Sequence, residues 1–407
     1  MENGQRAEEA FRIVGLISGG LMGSDPFDPT SWSGISREFF LACQRRGMLE
    51  RAFGVDVARR HFLALAVTRF HRNREVWKGR IYSSVVYRSA LERALQGRIA
   101  EQDKRYPIMQ LGAYVNAKRV YGAGARVFTY QDGNHEEYLR SGFAPPALAE
   151  DRRLSRQCFE FEKRVAESAE LVLTTSEYLR RSFIDLYGIP AERVKVLGCG
   201  VNFPLPPQSA VLGKDYNSRE ILFIGKEFVR KGGDALCQAF RIVRRHFPDA
   251  VLHIVGPGSI PSEFLSDPGV HVYGFLSRAI AGQREKLAGL FRQSSLFALP
   301  SRYEPFGIAP LEAMSHGIPA IVTGRWALGE NVTEGRTGFH VAMEDPGGLA
   351  DRIIAAWADP VRLAAIGGQA RSFVEASFTW DRVVDRLEVL LSPPARLAGD
   401  DRFPRRV

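Results

Sequence analysis

The chain has 407 residues, long enough for two domains that each bury a core. Its 45% hydrophobic and 25% charged residues argue against a largely disordered chain, and no apolar run reaches the ~18 residues that span a bilayer. The net charge of +9 is uneven, with 11 Lys and Arg against 3 Asp and Glu in residues 51–100, which suits an anionic partner such as phosphate groups or an acidic membrane surface and makes nucleic acid the weaker candidate.

In chain order, Arg12–Ile17 is the first β-rich run, inside an apolar stretch Phe11–Met22 that Gly15, Gly19 and Gly20 interrupt. Acidic Glu8 and Glu9 precede it, so it reads as a strand and glycine turn rather than a secretory signal. The four cysteines, Cys43, Cys158, Cys199 and Cys237, lack the spacing of a metal knuckle or a redox pair, which fits reduced thiols in a cytoplasmic protein. Ile35–Arg46 has a helical pattern with Phe39, Phe40 and Cys43 on one side. Arg126–Tyr130, Leu171–Thr174 and Arg193–Leu197 are further strands, and Ser176 caps a helix with Glu177 in its first turn. After Phe203-Pro204-Leu205-Pro206-Pro207 the strands are Ile221–Ile224, Val251–Val255, Val270–Tyr273, Leu296–Leu299 and Ala320–Val322. Asp234–Phe247 and Ile308–Ser315 are helices among them. Leu349–Ala358, Val361–Ala376 and Trp380–Leu391 are helices that finish the chain.

Strands alternating with helices imply parallel sheets covered on both faces. The chain therefore reads as two doubly wound, Rossmann-like α/β domains, residues 1–203 and 219–377, joined by a linker 204–218 and facing each other across a cleft. Only Met1–Glu9 and the end after Ser392 look like tails. Ligands in such domains sit at the carboxyl ends of the strands.

The strongest chemical signal follows the strand Leu296–Leu299: Ser301-Arg302-Tyr303-Glu304-Pro305-Phe306-Gly307-Ile308-Ala309-Pro310-Leu311-Glu312-Ala313-Met314. Gly307 allows a close backbone approach, and the helix opening at Ile308 offers free N–H groups and a positive dipole end to a diphosphate. Glu304 and Glu312 can accept hydrogen bonds from sugar and ribose hydroxyls. A second loop, Gly225-Lys226-Glu227-Phe228-Val229-Arg230-Lys231-Gly232-Gly233, places cations after the strand Ile221–Ile224.

These blocks resemble the signature of family-4 retaining glycosyltransferases, in which two glutamates flank a Pro-Phe-Gly turn. The resemblance covers residues 10–392, tightly after Ile221 and loosely before. It implies the two-domain GT-B architecture, with a C-terminal helix 378–395 returning to the N-terminal domain. It assigns Glu304 to the donor sugar, the backbone of Gly307 and Ile308 to the diphosphate, and Glu312 to the ribose. Lys231 matches the family's diphosphate lysine. Lys226 stands where the family has arginine, and Arg230 is an additional cation. Glu330, before Gly335-Arg336-Thr337-Gly338, stands at a helix start near the sugar. In the first half, Gly34 in Ser31-Trp32-Ser33-Gly34 resembles a phosphate-facing loop. Asp132 and His135, in Gln131-Asp132-Gly133-Asn134-His135-Glu136, compete for the position near the reacting carbon. Cys199 replaces a usual polar residue in the turn before Asn202.

The resemblance implies transfer of a sugar from a nucleotide-diphosphate sugar, with a UDP or GDP sugar as the expected donor, to a glycan, lipid-linked or small-molecule acceptor. No Asp-x-Asp triplet or His/Cys metal spacing occurs in the folded region, so the expectation is a reaction without metal or bound cofactor. The alternatives are a phosphorylase or epimerase on the same scaffold, or a transferase acting on nucleic acid. Arg59–Arg98, with Trp77, Tyr82 and Tyr87 among Arg72, Arg74, Lys78, Arg80 and Arg88, suits peripheral contact with an anionic membrane, on its cytoplasmic face.

Overall fold

The computed structural model describes residues 11–18 and 24–391. The expected turn at Gly19–Gly20, the tail Met1–Glu9 and everything from Ser392 onward lie outside the described residues. The first sheet contains β1 (Ile13–Ser18), β2 (Leu49–Val55), β3 (Ile108–Leu111), β4 (Val127–Gln131), β5 (Leu171–Thr174) and β6 (Val194–Val196). The second contains β7 (Glu220–Ile224), β8 (Val251–Val255), β9 (Val270–Val272), β10 (Leu296–Leu299), β11 (Ala320–Thr323) and β12 (Gly338–Val341). Their orders are β2-β1-β3-β4-β5-β6 and β9-β8-β7-β10-β11-β12, and neighbouring strands are parallel throughout. Both domains are doubly wound, so each has a switch point where strand order reverses: between β1 and β3, and between β7 and β10.

The central strands read clearly because both faces are covered. All six residues of β1 are buried, as are all four of β10, and such strands become continuous apolar runs. Three strands carried no such signal. β2 and β12 are edge strands with half-exposed residues. β3 holds a buried Gln110 whose amide donates to the carbonyls of Gly112 (2.6 Å) and Val115 (2.8 Å). The late helices begin slightly earlier than their apolar spacing indicates. Asp345 and Asp359 cap Pro346–Trp357 and Pro360–Ser377, with proline at the first helical position.

The stretch 204–218 is docked on the second domain rather than free. The Lys214 ammonium donates to the carbonyls of Phe291, Arg292 and Ser294 (2.8, 3.0 and 2.8 Å), and the Tyr216 hydroxyl donates to Gly317 O (2.7 Å). The final helix, Trp380–Leu391, crosses back to the first domain. It packs on the helix Ile35–Arg45 through Trp380 against Phe39 (ring centroids 6.0 Å) and the Arg45–Asp381 ion pair (3.0 Å). All four cysteines are free and buried.

Candidate active site

The two loops at the β7/β10 switch point meet. The stem of Lys231 lies against Gly225, where a Cβ would stand 2.9 Å from Lys231 Cγ. This routes the Lys231 ammonium onto the Glu304 carboxylate, to which it donates. Arg230 reaches the same carboxylate at 3.9 Å and is fixed by Glu227 and by the Tyr303 carbonyl (2.7 Å). Glu304 is buried, so two cations balance one carboxylate in a weakly solvated place. Arg302 ties the loops together by donating its backbone N–H to Arg230 O (2.8 Å) and its guanidinium to Asp234 (2.7 and 2.9 Å).

Gly307 follows, with φ +84°, immediately before the helix Ile308–Ser315. A Cβ there would stand 2.4 Å from Leu328 Cδ2 and 3.3 Å from Glu304 Cγ, so both backbone angle and space require glycine. The amides of Ile308 and Ala309 have no acceptors within the helix, Pro310 has no N–H, and the helix start lies beside Glu304, whose Cγ is 3.3 Å from the Cβ position at Gly307.

Glu312, eight positions after Glu304, is fully buried within that helix. Burial pushes its carboxyl up from the usual range. Arg278 (2.6 Å) and the Asn202 backbone N–H (3.3 Å) pull the other way without cancelling it. Asn202 is the centre of a network between the domains. Its amide donates to Ser33 O (2.9 Å), and its Oδ1 accepts from Trp380 Nε1 (3.0 Å). A cavity of about 730 Å³ opens beside it, at the hinge end of the cleft rather than at Glu304, and Gly34, Phe203, Arg278 and Trp380 are among its lining residues.

Gly34 sits in that cavity wall at the end of a run in which Trp32, Ser33 and Gly34 all have positive φ (51°, 55° and 87°). For Trp32 and Ser33 this backbone costs about 1–2 kcal/mol each. The Asn202–Ser33 hydrogen bond helps to hold it. Such retained strain is concentrated at ligand clamps.

Asp132 follows β4 on the first-domain wall, next to Gly133, whose Cβ would lie 3.7 Å from Pro305 Cβ in the opposite domain. Desolvation, together with the negative charge of Glu304, pushes the Asp132 carboxyl up to about 6. His135 is placed differently. Its ring Nε2 pairs with Ser155 Oγ (2.9 Å) and its backbone N–H donates to Glu162 (2.9 Å), so it is engaged inside the first domain. Burial, with Arg88 nearby, depresses its pKa. Of the two candidates, Asp132 is the one brought to Glu304.

Two other expected contacts are redirected. The Lys226 ammonium sits over the Phe275 ring (4.3 Å to the centroid) and does not join the Glu304 cluster. The Glu330 carboxylate accepts from the backbone N–H of Glu177 (2.9 Å), so it caps a first-domain helix across the cleft. The residues that sequence reasoning passed over are Trp32, Asn202 and Arg278. Arg278 had a usable signal, since it follows a glycine turn after β9 just as the Lys231 loop follows β7. Several buried polar groups lack a partner among the described residues: Ser18 Oγ, Thr175 Oγ1 and Ser301 Oγ at the carboxyl ends of β1, β5 and β10, and Trp32 Nε1. Buried groups of this kind normally find partners.

Comparison with known proteins agrees with this arrangement. Residues 58–203 match the family model described as Glycosyltransferase Family 4, and residues 218–359 match that described as Glycosyl transferases group 1. The chain belongs to glycosyltransferase family 4. It is similar to the D-inositol 3-phosphate glycosyltransferase of Rhodococcus erythropolis, 31% identical over 240 residues, which are 55% of this chain and 53% of that protein. The chain spans about half the length of the curated relatives it matches. Its fold is that of sucrose-phosphate synthase from Thermosynechococcus elongatus (TM-score 0.66, 19% identity, 93% of this chain and 98% of that one). It is also that of Anabaena HepE in complex with UDP and glucose (TM-score 0.62, 18% identity, 94% and 99%). The family's GT-B architecture, two Rossmann-like domains, is the one found here.

Proposed function

We propose that this chain transfers a hexose from a nucleotide-diphosphate sugar to an acceptor held by the first domain, with retention at the anomeric carbon and without a metal ion. The observation that carries the reading is the convergence of Lys231, Arg230 and the start of helix Ile308–Ser315 on Glu304 at the β7/β10 switch point. Two cations and a helix N-terminus supply positive charge where a leaving diphosphate gains negative charge. Glu304 would hold donor-sugar hydroxyls once the diphosphate draws the cations, and Glu312 would hold the ribose. The bond from the anomeric carbon to the phosphate oxygen breaks through an oxocarbenium-like state. The acceptor oxygen bonds to the same face of that carbon, and its proton passes to the departing phosphate, so the nucleoside diphosphate leaves carrying it. UDP is the favoured donor nucleotide, with support from the fold neighbour solved with UDP and glucose, and GDP is the competitor. The acceptor is a glycan, lipid-linked or small molecule, and the working place is an anionic membrane surface.

A thermal-shift screen against UDP, GDP, ADP, CMP and dTDP, with and without magnesium, tests this reading. A ligand that binds only the native state raises the melting temperature. A shift with one diphosphate, equal with and without magnesium and lost in Lys231→Ala, is expected. No shift with any nucleotide would overturn the reading.

A further inference from the structure

The basic segment 51–100 meets solvent differently from what its aromatic residues led us to expect. Tyr87 is fully buried and Tyr82 packs edge-on against it (ring centroids 5.1 Å). The Trp77 indole donates to Ala66 O (2.8 Å), and Arg88 is buried. The exposed apolar side chains belong instead to the helix Arg59–Thr68 and the turn after it. That helix is held through Phe62, Leu65 and Ala66, of which only Leu65 is fully buried. On its other side Leu63 and Val67 lie one turn apart, with Phe70 just beyond, and they are 56%, 77% and 65% exposed.

Arginines surround this stripe. Arg59 and Arg60 open the helix, and Arg69, Arg72 and Arg74 follow it. Among the described residues, none of these five has an ion-pair partner, whereas Arg45, the last residue of the helix Ile35–Arg45, and Arg46 just after it are matched to Asp381 and Asp385. A solvated face has no reason to expose three large apolar side chains together. A self-association face would bring five unpaired cations against five more. An anionic bilayer satisfies both features, since apolar side chains enter the headgroup boundary while cations meet lipid phosphates.

We propose that Leu63, Val67 and Phe70, ringed by Arg59, Arg60, Arg69, Arg72 and Arg74, form a peripheral docking face for anionic lipid. Three residues separate the helix from the end of β2, on the carboxyl-end side of the first sheet, where the cleft opens. Docking there turns the acceptor side of the cleft toward the membrane. A lipid-linked acceptor follows from this together with the transfer reading above, but the docking itself does not depend on that reading.

The test is flotation of the whole chain with vesicles of phosphatidylcholine alone or containing about 30% phosphatidylglycerol, at about 50 and 500 mM salt. Binding to the anionic vesicles alone is expected, reduced but not abolished by high salt. The triple change Leu63→Ser, Val67→Ser, Phe70→Ser should lower partitioning at least about tenfold. Each Arg→Gln change at Arg59, Arg60, Arg69 or Arg72 should lower it about fivefold. All seven side chains of the helix and turn that are changed here are exposed, so unchanged melting temperatures are expected and are checked alongside. No binding to anionic vesicles overturns the proposal. So does binding that the apolar triple leaves intact, because that is adsorption by charge alone. A dimer in light scattering that the triple dissolves would assign the face to a second copy instead. The nucleotide-induced thermal shift should persist in the triple variant, so a failure of docking and a failure of the transfer reading are told apart.

Discussion

Glu304 and Glu312 lie on one continuous segment, both buried and both facing arginine, yet they belong to different machines. The Glu304 cluster is assembled by a single domain, from loops tied together by Arg302. The Glu312 cluster spans three pieces of chain, because Asn202 joins it to Ser33 of the first domain and to Trp380 of the returning helix. The first is preorganised whatever the domains do. The second is rebuilt if they move. Charge stabilisation is thus separated from closure, and mutations should separate them too.

The largest effect should come from the first cluster. Lys231→Ala removes the nearer cation beside the leaving group, and transfer should fall about 10²–10³-fold in kcat. Glu304→Gln keeps the shape and should lower kcat by a similar factor while leaving nucleotide affinity nearly unchanged. Steady-state kinetics with separate determination of KM would reveal this. A uniform rise in KM at constant kcat would instead make Glu304 a ground-state binder.

In the second cluster, Arg278→Ala leaves a fully buried carboxylate with one backbone amide. Allowing for the partial exposure of Arg278, stability should fall by about 2–3 kcal/mol. The pH dependence has a defined sign. The Glu312 carboxyl is already raised by burial, so the folded state binds the proton more tightly than the unfolded chain does. Its contribution is therefore best at low pH and is lost as pH rises through the folded pKa. Removing Arg278 raises that pKa further and extends the loss upward. Denaturant melts between about pH 5 and 8 should show the variant losing more stability than the parent. The Lys231→Ala variant should not reproduce this slope.

The same contrast explains what the sequence could show. The switch-point loops of the second domain are local, contained in Gly225–Gly233 and Ser301–Met314, so spacing and residue type expose them. The interdomain contacts are not local. Asn202 meets Ser33 and Trp380 from 169 and 178 positions away, and nothing in the Val196–Asn202 turn indicates those partners. Asp132 and His135 were inseparable in sequence because a three-residue offset at a strand end decides which one faces out. Asn134 settles the matter by capping the helix His135–Arg140, which turns His135 toward Ser155. The inward setting of two aromatic side chains in the basic segment was illegible for a related reason. Aromatic residues beside arginines look alike whether they point inward or outward, and Trp77 and Tyr87 point inward.

Asp132 gives a smaller effect that links the two walls of the cleft. Its carboxyl is raised to about 6 by desolvation and by Glu304. A rate limb near pH 6 is expected, and Asp132→Asn should abolish it. Glu304→Gln removes the opposing negative charge, so any residual activity should show this limb at lower pH. If the limb stays in place, Asp132 and Glu304 do not sense each other across the cleft.

The smallest effect tests the division of labour between two lysines on one loop. By position both Lys226 and Lys231 could clamp phosphate. Only Lys231 is routed to Glu304, while Lys226 is exposed and rests on Phe275. An exposed cation–π contact contributes roughly 0.5–1 kcal/mol, so Lys226→Ala should change stability by no more than that. Because the ammonium is directed at an aromatic ring rather than at the helix start, nucleotide affinity should change by less than about threefold. Titration of UDP and GDP against both alanine variants measures the difference. A loss at Lys226 equal to that at Lys231 would mean that the loop rearranges when the diphosphate arrives. The Glu304 cluster would then be a resting arrangement, and the first half of the comparison, a donor wall preorganised by one domain, would fail.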